Sequence, residues 1–299
     1  MQYTYITSLN VLRMLLITGA TGHIGAAVLQ QLLKTTAASQ LAGLVRDPAK
    51  ATDLQAQGIS IRQGDYRDPA SLERAMQGID KVLLVSGGGD DDGLQQHYNV
   101  VDAAKKAGVR CIAYTGRVLK DPATLVNQLM VRHFQTEDYI KASGLNYVLF
   151  RNILYMDVVP LFVGPQVLES GIHLPAGEGR VSFALRSDMG EAIANVLAEG
   201  DCENRTYSFT NVESYSFAEV AAALSELSGK DVRYTAIDDA TFATQMKARG
   251  VPDQQIQFTL GFLTDIRNGQ ESAVSPELEQ ALGHAPTPLK AGLKTLFAL

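Results

Sequence analysis

The chain has 299 residues, 46% of them hydrophobic, enough to bury one large core or one core with a smaller lobe. A formal net charge of −6 sets the global field against phosphate backbones and anionic lipid, so neither nucleic acid nor membrane is an expected partner. The 2 cysteines, Cys111 and Cys202, lie in no Cys-x-x-Cys and no cluster has metal-ligand spacing, which excludes a metal site and fits a reducing, cytoplasmic setting.

No apolar run approaches the ~20 residues of a membrane span. Met1 to Arg13 lacks the basic start and cleavage site of a signal peptide and reads as an extension, with Met14 an alternative start. Val11 to Ile17 then ends in unbroken apolar residues, as a strand buried on both faces does, and Ala26 to Leu33 reads as a helix. Between them lies Thr18-Gly-Ala-Thr-Gly-His-Ile-Gly25. Strand, glycine turn, helix is the arrangement that binds a dinucleotide pyrophosphate, because the helix-start N–H groups and the positive dipole end face the phosphates. Gly19 would allow the tight turn, Gly22 the close approach of backbone to phosphate, and Gly25 the close packing of helix on strand; Thr21, His23 and Ile24 complete the expected loop.

Gln40 to Val45 reads as a second strand ending at Arg46-Asp47-Pro48-Ala49-Lys50, the position that meets the adenosine ribose. Arg46 and Lys50 can pair with a 2′-phosphate, so NADP is expected over NAD. Asp47 would instead take a ribose hydroxyl, or cap the helix that Pro48 begins. Ile59 to Gly64 is a third strand ending at Asp65 and Tyr66, where the adenine is expected, although Asp65 could simply begin a turn with Pro69. A helix over Pro69 to Gly78 and a fourth strand, Lys81 to Val85, lead to Ser86, Gly87 and Gly88, which leave room for the cofactor at the point where strand order reverses. Asp90, Asp91 and Asp92 read as a solvated loop.

Leu94 to Ala107 is a helix and Arg110 to Thr115 a fifth strand, inside which Cys111 reads as a small buried apolar residue. A long helix is expected from Asp121-Pro122 to Ser143. On it Met130, His133, Phe134, Glu137 and Ile140 share a face, so His133 and Glu137 are either a buried hydrogen-bonded pair or pocket residues. Asn146 to Phe150 makes a sixth strand, ending at Arg151, Asn152, Ile153, Leu154 and Tyr155. Six strands with intervening helices complete two mononucleotide-binding halves, an α/β fold with a doubly wound parallel sheet: an NAD(P)-binding Rossmann domain over 14–155. The rest, 156–299, reads as a smaller C-terminal α+β substrate lobe, some of whose elements return to the sheet. It is expected to hold helices over Asp157 to Gly171, Ser187 to Gly200 with Ser187 as N-cap, Ser216 to Ser228, Asp239 to Arg249 and Leu289 to Leu296, with strands at Thr206 to Thr210 and Val232 to Ala236.

Taken in order, the glycine loop, Val45-Arg-Asp-Pro-Ala-Lys50, Gly64-Asp-Tyr66, Ala113-Tyr-Thr-Gly116, Thr136-Glu137, Arg151-Asn152 with Tyr155, and Ser228-Gly-Lys230 resemble the NmrA-like branch of the atypical short-chain dehydrogenase/reductases, and within it the NAD(P)H:quinone oxidoreductase type 2 and triphenylmethane reductase group. The resemblance implies cofactor contacts from the glycine loop, Arg46, Ser86 to Gly88, the stretch Arg151, Asn152, Ile153 to Tyr155, and Arg186. Ile153 and Leu154 stand where the quinone reductases of this group show Gly-Trp, which would reshape the pocket.

None of the 11 tyrosines has a lysine four residues on, and Gly116 stands where a catalytic serine is expected in ordinary short-chain dehydrogenases. A simple ketone needs such a proton donor; a quinone or dye, whose product charge is delocalised or neutralised, does not. The expected function is therefore an NADPH-dependent oxidoreductase acting on quinones, dyes or similar conjugated small-molecule acceptors, as a monomer or homodimer, with His133, Glu137 and Tyr155 as pocket residues. The alternative is a non-catalytic NAD(P) sensor that regulates a protein partner.

Overall fold

A computed structural model describes residues 14–87, 92–125, 127–199 and 202–299; the N-terminal extension, Gly88, Asp90 and Asp91 lie outside the described residues. The first half alternates strand and helix: β1 (Leu15–Ile17), α1 (His23–Leu32), β2 (Leu41–Val45), α2 (Thr52–Ala56), β3 (Ser60–Gln63), α3 (Pro69–Ala75), β4 (Lys81–Leu84), α4 (Gly93–Lys106), β5 (Cys111–Arg117), α5 (Gln128–Ser143) and β6 (Asn146–Asn152). The second half carries α6 (Val159–Val163), α7 (Val167–Ser170), β7 (Ile172–Leu174), β8 (Arg180–Val181), α8 (Arg186–Glu199), β9 (Arg205–Phe209), β10 (Tyr215–Ser216), α9 (Phe217–Ser228), β11 (Tyr234–Ala236), α10 (Asp239–Ala248), α11 (Asp253–Arg267), α12 (Glu277–Leu282) and α13 (Leu289–Phe297).

Seven strands form one parallel sheet in the order β3-β2-β1-β4-β5-β6-β9, so the chain reverses its direction of sheet growth between β1 and β4. The central strands β1 and β2 are apolar and buried throughout because both faces are covered, whereas the edge strands β3 and β9 carry Ser, Arg, Gln and Thr. Leu15 and Ile17 enter one core and Leu16 the other; Leu83 divides in the same way from Val82 and Leu84. Helices α1 and α8 close the first core, and α3 and α4 close the second. α8 lies close enough on α1 that a Cβ at Gly190 would meet the Cβ of Ala27 at 2.5 Å. In the C-terminal half β8 pairs with β10 and β7 with β11. There α9 opens on a capping box, in which Glu219 N–H donates to Ser216 Oγ and Ser216 N–H donates to Glu219 Oε2, worth ~1 kcal/mol.

Several segments differ from the sequence reading. The helix expected from Asp121 begins at Gln128, because Asp121 caps a separate single turn, Pro122–Thr124, and Asn127 caps the helix proper by accepting from Leu129 N–H. The helix expected over Asp157 to Gly171 is cut into α6 and α7 at Gly164, whose φ of 80° no ordinary helical residue adopts. α8 starts at Arg186, so Ser187 lies inside it and is not its N-cap; the Arg186 N–H is met by Asp157 Oδ2 at 2.9 Å. Cys111 is buried as expected but is not a lone apolar residue: it is disulfide-bonded to Cys202. The reason is topological, since β9 pairs with β6 and so brings the residues just before it to the edge where β5 begins. Among the described residues no helix is long and apolar enough to cross a membrane, and no group of His, Cys, Asp and Glu could hold a metal.

Candidate cofactor cleft and acceptor pocket

A parallel sheet brings the carboxyl ends of its strands to one edge, and ligands bind where the strand order reverses. There, a cleft of about 620 Å³ is lined by Gly19, Thr21, Gly22, His23 and Ile24, by Arg46 after β2, by Asp65 and Tyr66 after β3, by Ser86 and Gly87 after β4, and by Tyr155 and Arg186. Gly19 holds a φ of 57°, and a Cβ on Gly25 would run into the Gly19 carbonyl, so the turn and the packing of α1 both require glycine. No side chain caps α1, which leaves its first N–H groups for an anion. This arrangement fits a dinucleotide pyrophosphate.

The ribose end is sorted by local hydrogen bonds. Asp47 accepts from Ala49 N–H at 3.0 Å and so caps the turn Pro48–Ala51, which leaves Arg46, exposed at the rim, as the side chain that lines the cleft. Lys50 sits within that turn and does not line the cleft. Asp65 does both things the sequence allowed: it lines the cleft while its Oδ1 accepts from Arg67 N–H at 2.9 Å. The Tyr66 hydroxyl is hydrogen-bonded to Thr18 Oγ1 and lies 3.0 Å from the Val85 carbonyl; burial pushes its pKa up, so it stays protonated.

Ser86, Gly87, Tyr155 and Arg186 also line a second cavity, of about 540 Å³. Gly116 and Arg117 at the end of β5, Met130, Arg132 and His133 on α5, and Leu154, Val158 and Phe162 form its walls; Phe258 and Phe262 of α11 add two aromatic rings with centroids 5.1 Å apart. The Tyr114 hydroxyl lies 2.8 Å from His133 Nδ1. Burial, reinforced by the Arg117 charge, brings the His133 pKa down to about 3. His97 is lowered to about 4 by burial; its Nε2 accepts from Gly87 N–H at 3.3 Å, which places the ring proton on Nδ1, 2.9 Å from Thr136 Oγ1. Tyr155, likewise held protonated by burial, accepts from Asn152 Nδ2 at 3.1 Å and lies under the Arg186 guanidinium at 4.7 Å.

The structure thus separates His133 from Glu137. His133 lines the pocket, whereas Glu137 is 1% exposed and holds Arg151 through Nε–Oε1 and Nη2–Oε2 contacts of 2.9 and 2.6 Å. Glu137 and Arg151 therefore line neither cavity, and Asn152 and Ile153 are buried behind Tyr155, with Asn152 acting on the site through the tyrosine hydroxyl. Arg117, Arg132, Phe162, Phe258 and Phe262 escaped the sequence reading. For α11 a signal existed: Pro252 precedes it, and Ile256, Phe262, Leu263 and Ile266 are its buried apolar face.

A Rossmann cleft that opens through a shared wall into an apolar pocket defines the chain as a nicotinamide-dinucleotide-binding α/β protein of the reductase architecture. The chain belongs to the NmrA-like family, whose sequence profile matches residues 13–296. It is 38% identical over 285 residues to quinone oxidoreductase 2 of Escherichia coli (strain K12), covering 95% of this chain and 99% of that protein. The structure of the Escherichia coli NADPH-dependent quinone oxidoreductase in complex with NADPH superposes with a TM-score of 0.90 at 37% identity, covering 95% of this chain and 100% of that one. The Citrobacter sp. triphenylmethane reductase in complex with NADP(H) gives a TM-score of 0.88 at 36% identity, covering 95% and 99%.

Proposed function

We propose that this protein uses NADPH to reduce quinones, dyes or similar conjugated, electron-poor acceptors. The observation that carries the reading is the shared wall: Ser86, Gly87, Tyr155 and Arg186 border both the dinucleotide cleft and an aromatic-lined cavity large enough for a planar acceptor. When bound, NADPH supplies the hydride from its nicotinamide ring. The chain's part is positioning and exclusion of water. The α1 N-terminus would hold the pyrophosphate, Arg46 the 2′-phosphate, and Phe162, Phe258 and Phe262 would pack against the acceptor ring. A Tyr114 hydroxyl that donates to His133 Nδ1 leaves Nε2 as the protonated nitrogen of a neutral imidazole, a hydrogen-bond donor for an acceptor oxygen. Tyr155 is a second donor at the shared wall.

The reading holds for a monomer or a homodimer alike. A cytoplasmic location is part of this proposal, and the Cys111–Cys202 disulfide, which a reducing pool would open, is the feature that argues against it. The test is loss of reduced-nicotinamide absorbance with benzoquinones, dyes and aliphatic ketones. Turnover is expected with the conjugated acceptors and little with the ketones. Tight NADPH binding with no turnover on any of them would overturn the reading in favour of a sensor, and equal ketone reduction would require a proton donor beyond these residues.

A further inference from the structure

The acceptor pocket is apolar over much of its wall, yet the ionisable side chains lining it among the described residues are three arginines and two histidines besides Tyr155, with no carboxylate. Burial keeps both histidines neutral, so the guanidinium groups set the local field, against a chain whose overall charge is −6. Arg186 is answered by Asp157 at 3.7 Å and belongs to the cofactor cleft as well. Arg117 is different. It is the last residue of β5 and only 6% exposed, its Nη2 pairs with Glu271, and its buried Nε–H has no hydrogen-bond partner. That Nε is itself shielded from the cavity, so an anion in the pocket would be drawn by the guanidinium charge at the wall rather than by a bond to Nε.

The Glu271 partner of Arg117 is wholly buried, and burial with the Asp265 charge raises its pKa against the pull of Arg117 and the Leu154 backbone. The pair comes from distant parts of the chain, the end of β5 and the strap after α11, where Gln270 also accepts from Asp121 N–H at 2.8 Å and donates to Thr124 Oγ1 at 2.7 Å. This anchoring fixes the guanidinium at the pocket wall.

We infer that Arg117 determines the acceptor specificity of this pocket, favouring conjugated acceptors that carry a carboxylate or sulfonate over their neutral parents and disfavouring cationic ones such as triphenylmethane dyes. The inference deepens the reductase reading and rests on it for the conjugated ring, while the selection by charge stands on the pocket alone.

The experiment pairs a naphthoquinone sulfonate with unsubstituted naphthoquinone. Kd is measured by calorimetry on the NADP⁺-loaded protein, and kcat/KM with NADPH. The unmutated protein is expected to bind the sulfonate at least roughly tenfold more tightly. Arg117→Met should abolish the preference and Arg117→Lys should keep part of it, the ratio of the two affinities within each variant being the readout. Because Arg117→Met strands Glu271, the double variant Arg117→Met/Glu271→Leu, which replaces the pair by apolar groups, guards against a folding defect. Equal affinity for the two quinones in the unmutated protein would overturn the inference, as would a preference that survives in a methionine variant of unchanged melting temperature. The two readings fail separately: sulfonate-selective binding without turnover of any quinone rejects the reductase and leaves the charge selection standing, whereas turnover without selection does the reverse.

Discussion

Replacing Glu137 with alanine separates a structural carboxylate from a catalytic one. The substitution removes a side chain that is 1% exposed, takes a bidentate contact from Arg151 at 2.9 and 2.6 Å, and has Lys141 Nζ at 3.8 Å. Stranding a fully buried ion costs ~3–5 kcal/mol. Arg151 is 31% exposed and can draw water once its partner is gone, which lowers the cost, while the hole beside Gly116, whose Cβ position lies 3.0 Å from Glu137 Oε1, adds a packing loss. A net destabilisation of about 2–4 kcal/mol follows, a fall in Tm of roughly 3–6 °C for a chain of this size. Differential scanning calorimetry reads the stability, and NADPH titration with acceptor kinetics reads the site. Since Glu137 lines neither cavity, kcat should change little at a temperature where the variant is folded. A large loss of kcat, ~100-fold or more, with unchanged melting would refute the reasoning and put Glu137 at the reacting atoms.

Arg46→Ala should remove the preference for NADPH over NADH, which for a rim-exposed guanidinium amounts to roughly tenfold; equal dissociation constants in the unmutated protein would refute the assignment. Stability should also depend on pH through the two buried histidines. Their pKa values are lowered from 6.5 to about 4 for His97 and about 3 for His133, so between those limits the unfolded chain binds protons that the folded chain refuses. Their contribution is complete above about pH 6.5 and is lost as pH falls toward 4. Thermal melts across that window should show the decline, and His97→Gln should flatten it; an unaltered slope would refute the neutral imidazole.

The cofactor half of the molecule is written locally. A buried parallel strand, a glycine turn and a helix are coded within Leu15 to Leu32, and the period of two that sends Leu16 to one core and Ile17 to the other is visible in any apolar strand. Even the choice between Arg46 and Asp47 turns on a contact two residues long, the Asp47 cap on Ala49, which sequence could list but not decide. Where local rules failed, they failed at breaks: Asp121-Pro122 has the chemistry of a helix start and does cap a turn, but that turn ends before Asn127 caps again.

The acceptor half is written in pairs far apart in sequence. Spacing on α5 places His133 and Glu137 on adjoining turns of one face, but what each does depends on the strand it meets: Tyr114 on β5 takes His133, and Arg151 on β6 takes Glu137. Arg117 lies two residues beyond the strand end that its sequence marks, and its partner Glu271 is 154 residues away. Cys111 and Cys202 are separated by 91. No helical or strand period relates such positions; only the sheet order and the return of the C-terminal strap bring them together. A pocket assembled in this way can change an acceptor-facing residue without disturbing the glycine loop. Acceptor choice in this chain must therefore be argued from Arg117, His133 and the α11 rings, while the cofactor can be argued from the first two strands.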